Sequence, residues 1–366
     1  MLNKLSIKVT PVENTYGSWC DLSRLRIACS FLLILAVVGC SRPGTYQQDF
    51  FAFGTLVEVT FYGANRPLAD KAFEAARKQF NTMTTVWHAW RPSAVTRTNA
   101  LIAADKSSVL RPELLHLIKR AKRLSKQSGG LFNPAIGRLI ALWGFHSDDY
   151  GGRRPPTAIK IKALVEKYPS MRDLVLKGTR LSSTNRYVQL DFGAFAKGYG
   201  VGRVVNHLHK MGIENLIVNA GGDLRATGDH GNRPWRIGIQ NPRGDGVIAS
   251  VEIHHDESVF TSGDYERYFV FKGKRYHHIL DPRTGYPACG VTSATVIDAD
   301  SGTADAAATA LLVAGPNHWI SIARAMRVRD VLLIDSHGRA HMTPSMFKRI
   351  HFEIDPPPPT IVSIAP

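Results

Sequence analysis

Asp305 and Thr309 stand four residues apart in the run Thr303-Ala304-Asp305-Ala306-Ala307-Ala308-Thr309, which reads as a helix. Residues at i and i+4 share a helical face, so this carboxylate and hydroxyl converge on one point. Two hard oxygen donors and no thiolate suit Mg²⁺, which takes a few protein oxygens and completes its octahedron with water and substrate phosphates. Upstream, His278-Ile279-Leu280-Asp281-Pro282-Arg283-Thr284-Gly285 joins a histidine to an Asp-Pro-x-Thr-Gly turn. A histidine exchanges its proton near neutral pH and can act as base toward an attacking hydroxyl. A hard cation beside such a base is the equipment of phosphoryl or pyrophosphate chemistry. Each feature alone is ordinary, since Asp/Thr pairs mostly face solvent or cap helices and single histidines are mostly structural. Their meaning comes from the elements that bring them together.

The hydropathy pattern gives a mixed α+β chain rich in antiparallel pairing, with a single compact domain over residues 50–352. Phe53 to Phe61 reads as a strand, 68–86 and 112–128 as helices, and Gly129-Gly130 as the cap of the second helix. Trp87 to Asn99 reads as an aromatic, basic loop, and Leu139 to Phe145 as core. In the middle a β-α-β unit is expected: strand Tyr187 to Asp191, a glycine turn, helix Val201 to Met211, then strand Asn215 to Asn219. Gly198, Gly200 and Gly202 follow G-x-G-x-G spacing after that turn, which is not the G-x-G-x-x-G nicotinamide fingerprint. Trp235 to Gln240, Ser250 to His254, Arg267 to Phe271 and Thr292 to Ile297 read as further strands. The tail over 353–366, with Pro356 to Pro359, is expected to be extended and outside the core.

The first 39 residues have a different character. Arg24 and Arg26 precede an apolar run from Ile27 to Val38 that ends in Val37-Val38-Gly39-Cys40. The run has the form of an export signal rather than a membrane span. A small residue before cysteine resembles a bacterial lipoprotein signal, with cleavage before Cys40, a lipid on that cysteine and a polar tether over 40–49. The resulting address is the cell envelope, facing the periplasm. Cys289 is then the one other cysteine, without a marked activator. Formal charge falls from +16 to +14 once residues 1–39 are removed. A basic surface on an exported protein fits anionic lipid or a polyanionic cofactor. The absence of an arginine-rich tract and of an aromatic ribonucleoprotein motif argues against nucleic acid.

From Phe53 to Phe347 the chain resembles the ApbE family of FAD:protein FMN transferases. The resemblance rests on ordered blocks: Phe53-Gly54-Thr55; Trp90 with Ser93 and Asn99; Phe132-Asn133-Pro134 with Leu142-Trp143-Gly144-Phe145; Asp191 to Tyr199; Gly221-Gly222-Asp223; Thr261 to Tyr265; His278 to Gly285; and Asp305 to Thr309. It implies an ApbE-like fold and an enzyme that uses Mg²⁺ to split the FAD pyrophosphate. FMN would be moved to a threonine of an exported acceptor protein, with release of AMP. By motif, the metal falls to the Ala194 carbonyl, Asp305 and Thr309. FAD falls to Phe53, Trp90, Leu131, Phe132, Asn133, Asp191, Lys197 and Ile279, and catalysis to His278. Asn133 departs from the aspartate of the family pattern that the chain resembles, keeping the shape without the charge.

The residues make chemical sense in those roles. Lys197 brings positive charge to a helix opening, where free N–H groups also favour phosphate. Trp90 and Phe132 offer flat apolar faces for ring stacking. Two alternatives use much the same residues: a hydrolase in which water replaces the threonine, and a lipoprotein that binds FAD without turnover.

Overall fold

The computed structural model describes residues 44–147, 149 and 151–363. Cys40 and the export signal expected before it lie outside the described residues. The chain opens with a hairpin, β1 (Thr45–Ala52) and β2 (Thr55–Tyr62), paired antiparallel through the two-residue turn Phe53-Gly54. Helix α1 (Arg66–Trp87) starts where Asn65 accepts a hydrogen bond from the Leu68 amide and Pro67 occupies its first turn. Helix α2 (Ala94–Ala103) starts at a capping box between Ser93 and Thr96. Then come β3 (Ser108–Val109), α3 (Pro112–Gln127), α4 (Gly137–Leu142), α5 (Ala158–Val165), β4 (Leu174–Lys177) and β5 (Arg180–Ser183).

The second half carries α6 (Ala196–Lys210), β6 (Asn215–Ala220), β7 (Asp223–Thr227), β8 (Trp235–Gln240), β9 (Val247–Ile253) and β10 (Asp256–Gly263). The hairpin β11 (Tyr268–Phe271) and β12 (Lys274–His277) precedes β13 (Val291–Asp298), α7 (Ser301–Ala314) and α8 (Trp319–Met326). The chain closes with β14 (Asp330–Asp335), β15 (Ala340–Met342), α9 (Pro344–Phe347), β16 (His351–Phe352) and β17 (Thr360–Val362).

A nine-stranded sheet in the order β1-β2-β6-β7-β10-β13-β14-β15-β17 forms the spine, antiparallel except for β15 with β17. Alternation along the strands separates two cores. Val331 and Leu333 face the larger core beneath the helices, whereas Leu332 and Ile334 face a smaller one that includes β8 and β9. Both β13 and β14 are buried on both faces, and β14 reads as a continuous apolar run from Val331 to Ile334. Helix α7 is buried along nearly its whole length, and its alanines and glycine let α6, β10 and β13 pack closely around it. No helix among the described residues is long and apolar enough to cross a membrane.

Three expectations are corrected here. Tyr187 to Asp191 is not a strand, and the β-α-β unit lacks its first member. Gln189 makes a single bridge to Ile136, and the segment spends its backbone bonds on the turn at Pro134–Gly137 and on the Asn99 side chain. The Trp87 to Asn99 loop is shorter than expected, because α1 runs through Trp87 and the Ser93 cap starts α2 at Ala94. The tether expected over 40–49 is overrun by the fold from Thr45 onward, which pairs with β2 as the first strand of the sheet. The proline-rich tail is extended and exposed, and its end adds β17 to the sheet.

Candidate functional site

Helix α6 and helix α7 touch at a glycine. A Cβ on Gly198 would meet the Ser301 carbonyl oxygen at 2.3 Å and the Asp305 Cβ at 2.6 Å, so only glycine permits this approach. The approach lets the Gly198 amide donate to Asp305 Oδ2 at 2.8 Å rather than to the carbonyl of Ala194. One hydrogen bond thus anchors the carboxylate and leaves the Ala194 carbonyl without that helical partner. Thr309, one turn further along α7, shares a 3.1 Å hydroxyl contact with Ser262 at the end of β10. Among the described residues no three His, Cys, Asp or Glu side chains converge as a cage. The donors present are one carboxylate, one hydroxyl and one carbonyl, a sparse oxygen set of the kind Mg²⁺ completes with water and phosphate.

The charges around these donors do not balance. Lys197 pairs with Asp223, whose other oxygen accepts from the Thr261 amide at 2.8 Å. Burial works to lower the Lys197 pKa, but Asp223, Glu266 and Asp305 outweigh it and hold the ammonium above its usual value. Asp223, Glu266 and Asp305 thus all act on Lys197, and Arg267 adds a second cation that acts on Glu266. Burial first, then the charge of Asp223, pushes the Asp305 carboxyl up to about 7. Glu266 is pushed up to about 7 for the same two reasons. More than a third of Glu266 remains open to water, whereas Asp305 is only 5% exposed, so desolvation acts more firmly on Asp305.

His278 follows β12 directly. Its amide donates to the Arg267 carbonyl at 3.0 Å, and its Nδ1 lies 3.3 Å from the same oxygen. A carbonyl only accepts, so Nδ1 carries the proton and Nε2 keeps its lone pair. Desolvation first, then the charges of Arg267, His277 and Lys197, lower the His278 pKa to about 3. The imidazole is therefore neutral, and its Nε2 lone pair is less basic than that of a free histidine for the same reasons. His277 points the other way, is 5% exposed, and donates from Nε2 to the Ala288 carbonyl at 2.8 Å.

The aromatic residues form the neighbouring wall. Phe53 sits in the left-handed region at φ 52°, an uncommon and strained conformation for a bulky residue. Its amide is held by Thr84 Oγ1 at 3.2 Å, and its ring stacks on Trp87 at 6.0 Å and lies over Gly200 of α6. Trp90 stacks on His146 at 5.1 Å, and His146 Nε2 reaches Asp191 Oδ2 at 2.7 Å. Asp191 Oδ1 accepts from the Gly193 amide at 2.8 Å and so shapes the turn into α6. Trp90, Thr96, Asn99, His146 and Gln189 line a groove of about 380 Å³. That volume lies within the range of small-ligand clefts.

The structure brings Phe53, Ala194, Lys197, Asp305, Thr309 and His278 around the start of α6, with Trp90 and Asp191 joined through His146. Leu131, Phe132 and Asn133 border them, since the Asp191 amide donates to the Pro134 carbonyl. The face expected of Phe132 is not available: its ring is 1% exposed and packs on Phe195 at 5.8 Å. Asn133 spends its side chain locally, donating to the Pro169 carbonyl and accepting from the Ala135 amide. An aspartate could not make the first of these bonds. Ile279 is 6% exposed and belongs to the core wall. His146 and Glu266 escaped sequence reasoning, and Ser262 was read only as part of the Thr261 to Tyr265 block, without its contact to Thr309. His146 follows the Leu142 to Phe145 block directly, and only that adjacency signalled it.

The fold is that of solved flavinyl transferases. The ApbE protein of Thermotoga maritima superposes with a TM-score of 0.77 at 33% identity, covering 85% of this chain and 100% of its own. The Pseudomonas stutzeri flavinyl transferase ApbE, in its apo form, gives 0.74 at 28% identity, covering 84% and 97%. The sequence profile of the ApbE family matches residues 53–333, and the chain belongs to that family. A FAD:protein FMN transferase of Rhodobacter capsulatus is 42% identical over 83% of this chain, a match spanning 58% of that longer protein. Proteins of the same description from Klebsiella pneumoniae (strain 342) and Vibrio cholerae are 33% and 32% identical, with 89% and 97% of their lengths covered.

Proposed function

We propose that this protein is a Mg²⁺-dependent FAD:protein FMN transferase of the bacterial cell envelope. It cleaves the pyrophosphate of FAD, attaches FMN through a phosphoester to a threonine of an exported protein, and releases AMP. The observation that carries this reading is the neutral His278, its Nδ1 proton committed to the Arg267 carbonyl and its Nε2 free, close enough to Lys197 for their charges to interact.

In this reading the threonine hydroxyl gives its proton to His278 Nε2 as its oxygen bonds to the phosphorus of the FMN half. The bond from that phosphorus to the bridging oxygen breaks, and the oxygen leaves with AMP. Lys197, kept charged by its carboxylates, offsets negative charge on the phosphates. Phe53 and Trp90 give the flavin dinucleotide flat surfaces, and Asp191 holds His146 against Trp90. Asp305, Thr309 and the Ala194 carbonyl would hold Mg²⁺, which supplies charge neutralisation and orientation of the pyrophosphate. Cys40, which carries the lipid in this reading, lies outside the described residues.

The test is to incubate the protein lacking residues 1–40 with FAD, Mg²⁺ and candidate exported flavoproteins. Flavin fluorescence retained on an acceptor band in a denaturing gel supports transfer. Release of FMN and AMP with no labelled acceptor would decide for hydrolysis.

A further inference from the structure

We propose that the outer edge of β11 is the docking strand for the acceptor protein, pairing with an extended, acidic segment that it leads toward His278. This rests on the transferase reading, in which a protein rather than a small molecule must reach the histidine.

The hairpin β11–β12 is a two-stranded sheet, so both its edges are open. Its register pairs Tyr268 with His277, Phe269 with Tyr276, Val270 with Arg275 and Phe271 with Lys274. The bond from the His278 amide to the Arg267 carbonyl fixes which pairs face inward. Antiparallel pairs alternate, so Phe269 and Phe271 bond to β12 while Tyr268 and Val270 turn their N–H and C=O groups outward. No other backbone in the described residues takes up those groups. Tyr268 and Val270 also leave 36% and 58% of their surfaces exposed. An edge with free backbone groups and uncovered side chains is a template for an added strand.

Three further observations select the occupant. The strand is firmly held from below, because Phe269 packs on Trp143 and Phe145. It is continuous with the site, because the residue before β11 is Arg267, whose carbonyl holds both the amide and Nδ1 of His278. A strand added to β11 lies about two strand spacings, roughly 10 Å, from the backbone of β12. The charge on the hairpin itself is positive: from Arg267 to Leu280 the chain has Arg267, Lys272, Lys274 and Arg275 and no carboxylate; Arg275 pairs with Asp264 at 3.5 Å, whereas Lys272 and Lys274 have no ion-pair partner among the described residues. Lys272, Lys274 and Arg275 lie over the rings of Phe271, Tyr276 and Tyr268, so the positive charge is held on the hairpin. Edge lysines alone would be ordinary protection against self-pairing. Here they flank two apolar residues left open beside a group-transfer site, which fits an acidic extended segment.

The experiment uses a 14-residue peptide library with a fixed central threonine, incubated with the protein lacking residues 1–40, FAD and Mg²⁺. Fluorescent peptides are recovered and sequenced. The labelled pool is expected to be enriched in Asp and Glu on one side of the threonine. Val270→Pro removes an outward N–H without touching the ladder to β12, a change edge strands tolerate. It should lower labelling at sub-saturating peptide about tenfold, the scale of one or two lost hydrogen bonds. Its FAD binding and its acceptor-free release of AMP should not change. Lys272→Glu with Lys274→Glu should move the enrichment from acidic to basic peptides. Equal labelling by Val270→Pro, a pool without acidic bias, or self-association of the enzyme that Val270→Pro abolishes would each overturn the assignment. Failure of the unsubstituted protein to cleave FAD at all would count instead against the transferase reading.

Discussion

Replacing Gly198 by alanine tests whether the contact between α6 and α7 positions the site. An alanine Cβ would stand 2.3 Å from the Ser301 carbonyl oxygen, against a practical minimum near 3.0 Å, so the helices must separate by about 0.7 Å or more. The obstacle is backbone and cannot rotate away. Overpacking of this kind costs about 1–3 kcal/mol, and alanine returns at most about 1 kcal/mol of helix propensity. The net loss of about 1–2 kcal/mol should lower the melting temperature by roughly 2–4 °C. Turnover should suffer far more, because moving Asp305 by close to 1 Å costs about a hundredfold. Gly202→Ala is the control on the same helix. Its Cβ would meet nothing nearer than Ser301 Oγ at 3.3 Å, a hydroxyl that need give only a few tenths of an ångström and is held at 2.8 Å by Ser258. That variant should lose less stability than Gly198→Ala and keep its activity within about twofold. Calorimetry and chromatographic measurement of AMP release read both quantities. Full turnover in Gly198→Ala would show that this contact does not position Asp305, and the reasoning from glycine to site geometry would fail.

Mg²⁺ binding should compete with a proton on Asp305, whose carboxyl is pushed up to about 7. Titration calorimetry should find affinity falling by up to about tenfold per pH unit below 7 and levelling above it; a flat profile from pH 5 to 8 would contradict the raised Asp305 pKa. Asp305→Ala or a chelator should abolish turnover while leaving the circular dichroism spectrum unchanged. His278→Ala should bind FAD nearly normally yet lose about 10²–10⁴-fold in transfer. With its pKa lowered to about 3, His278 stays in the basic form as pH falls from 7 to 5, so no acid limb near 6.5 should come from it. His277→Ala should instead lower stability, since it empties a buried site and frees the Ala288 carbonyl; reversed phenotypes would exchange the two roles. Cys40→Ser should block both lipid attachment and cleavage before residue 40, and lipid labelling that survives the change would exclude that anchor.

Much of the frame was legible because its signals are local. Proline and glycine bracket α3, and the alternating residues of β8 fall at Trp235–Gln240, as the sequence reading has it. The pair Asp305 and Thr309 was readable because helical period alone puts them on one face. The failures also have physical causes. Tyr187 to Asp191 has strand composition, but its partners are a turn and an asparagine side chain, which no pattern in the segment announces. The start of α2 was missed because its capping box closes with Thr96 rather than with glutamate or glutamine. The Phe132 ring looked available for stacking because apolar character does not say which side the core lies on. His146 and Glu266 reach the site only through long-range packing, and spacing along the chain cannot reveal that.

The turn Phe53-Gly54 has a consequence for engineering. Both residues have positive φ, the geometry of a tight two-residue hairpin turn, where asparagine is favoured in the first position. Phenylalanine there costs about 1 kcal/mol or more of backbone strain. A stability-driven redesign would therefore choose Phe53→Asn early. The gain would come from deleting the ring that packs over Gly200 and Trp87 at the border of the site. Thermostabilisation of this scaffold should leave residue 53 fixed and take its gains at an exposed position such as Tyr168, which also holds positive φ and has no part in the cofactor or acceptor reading.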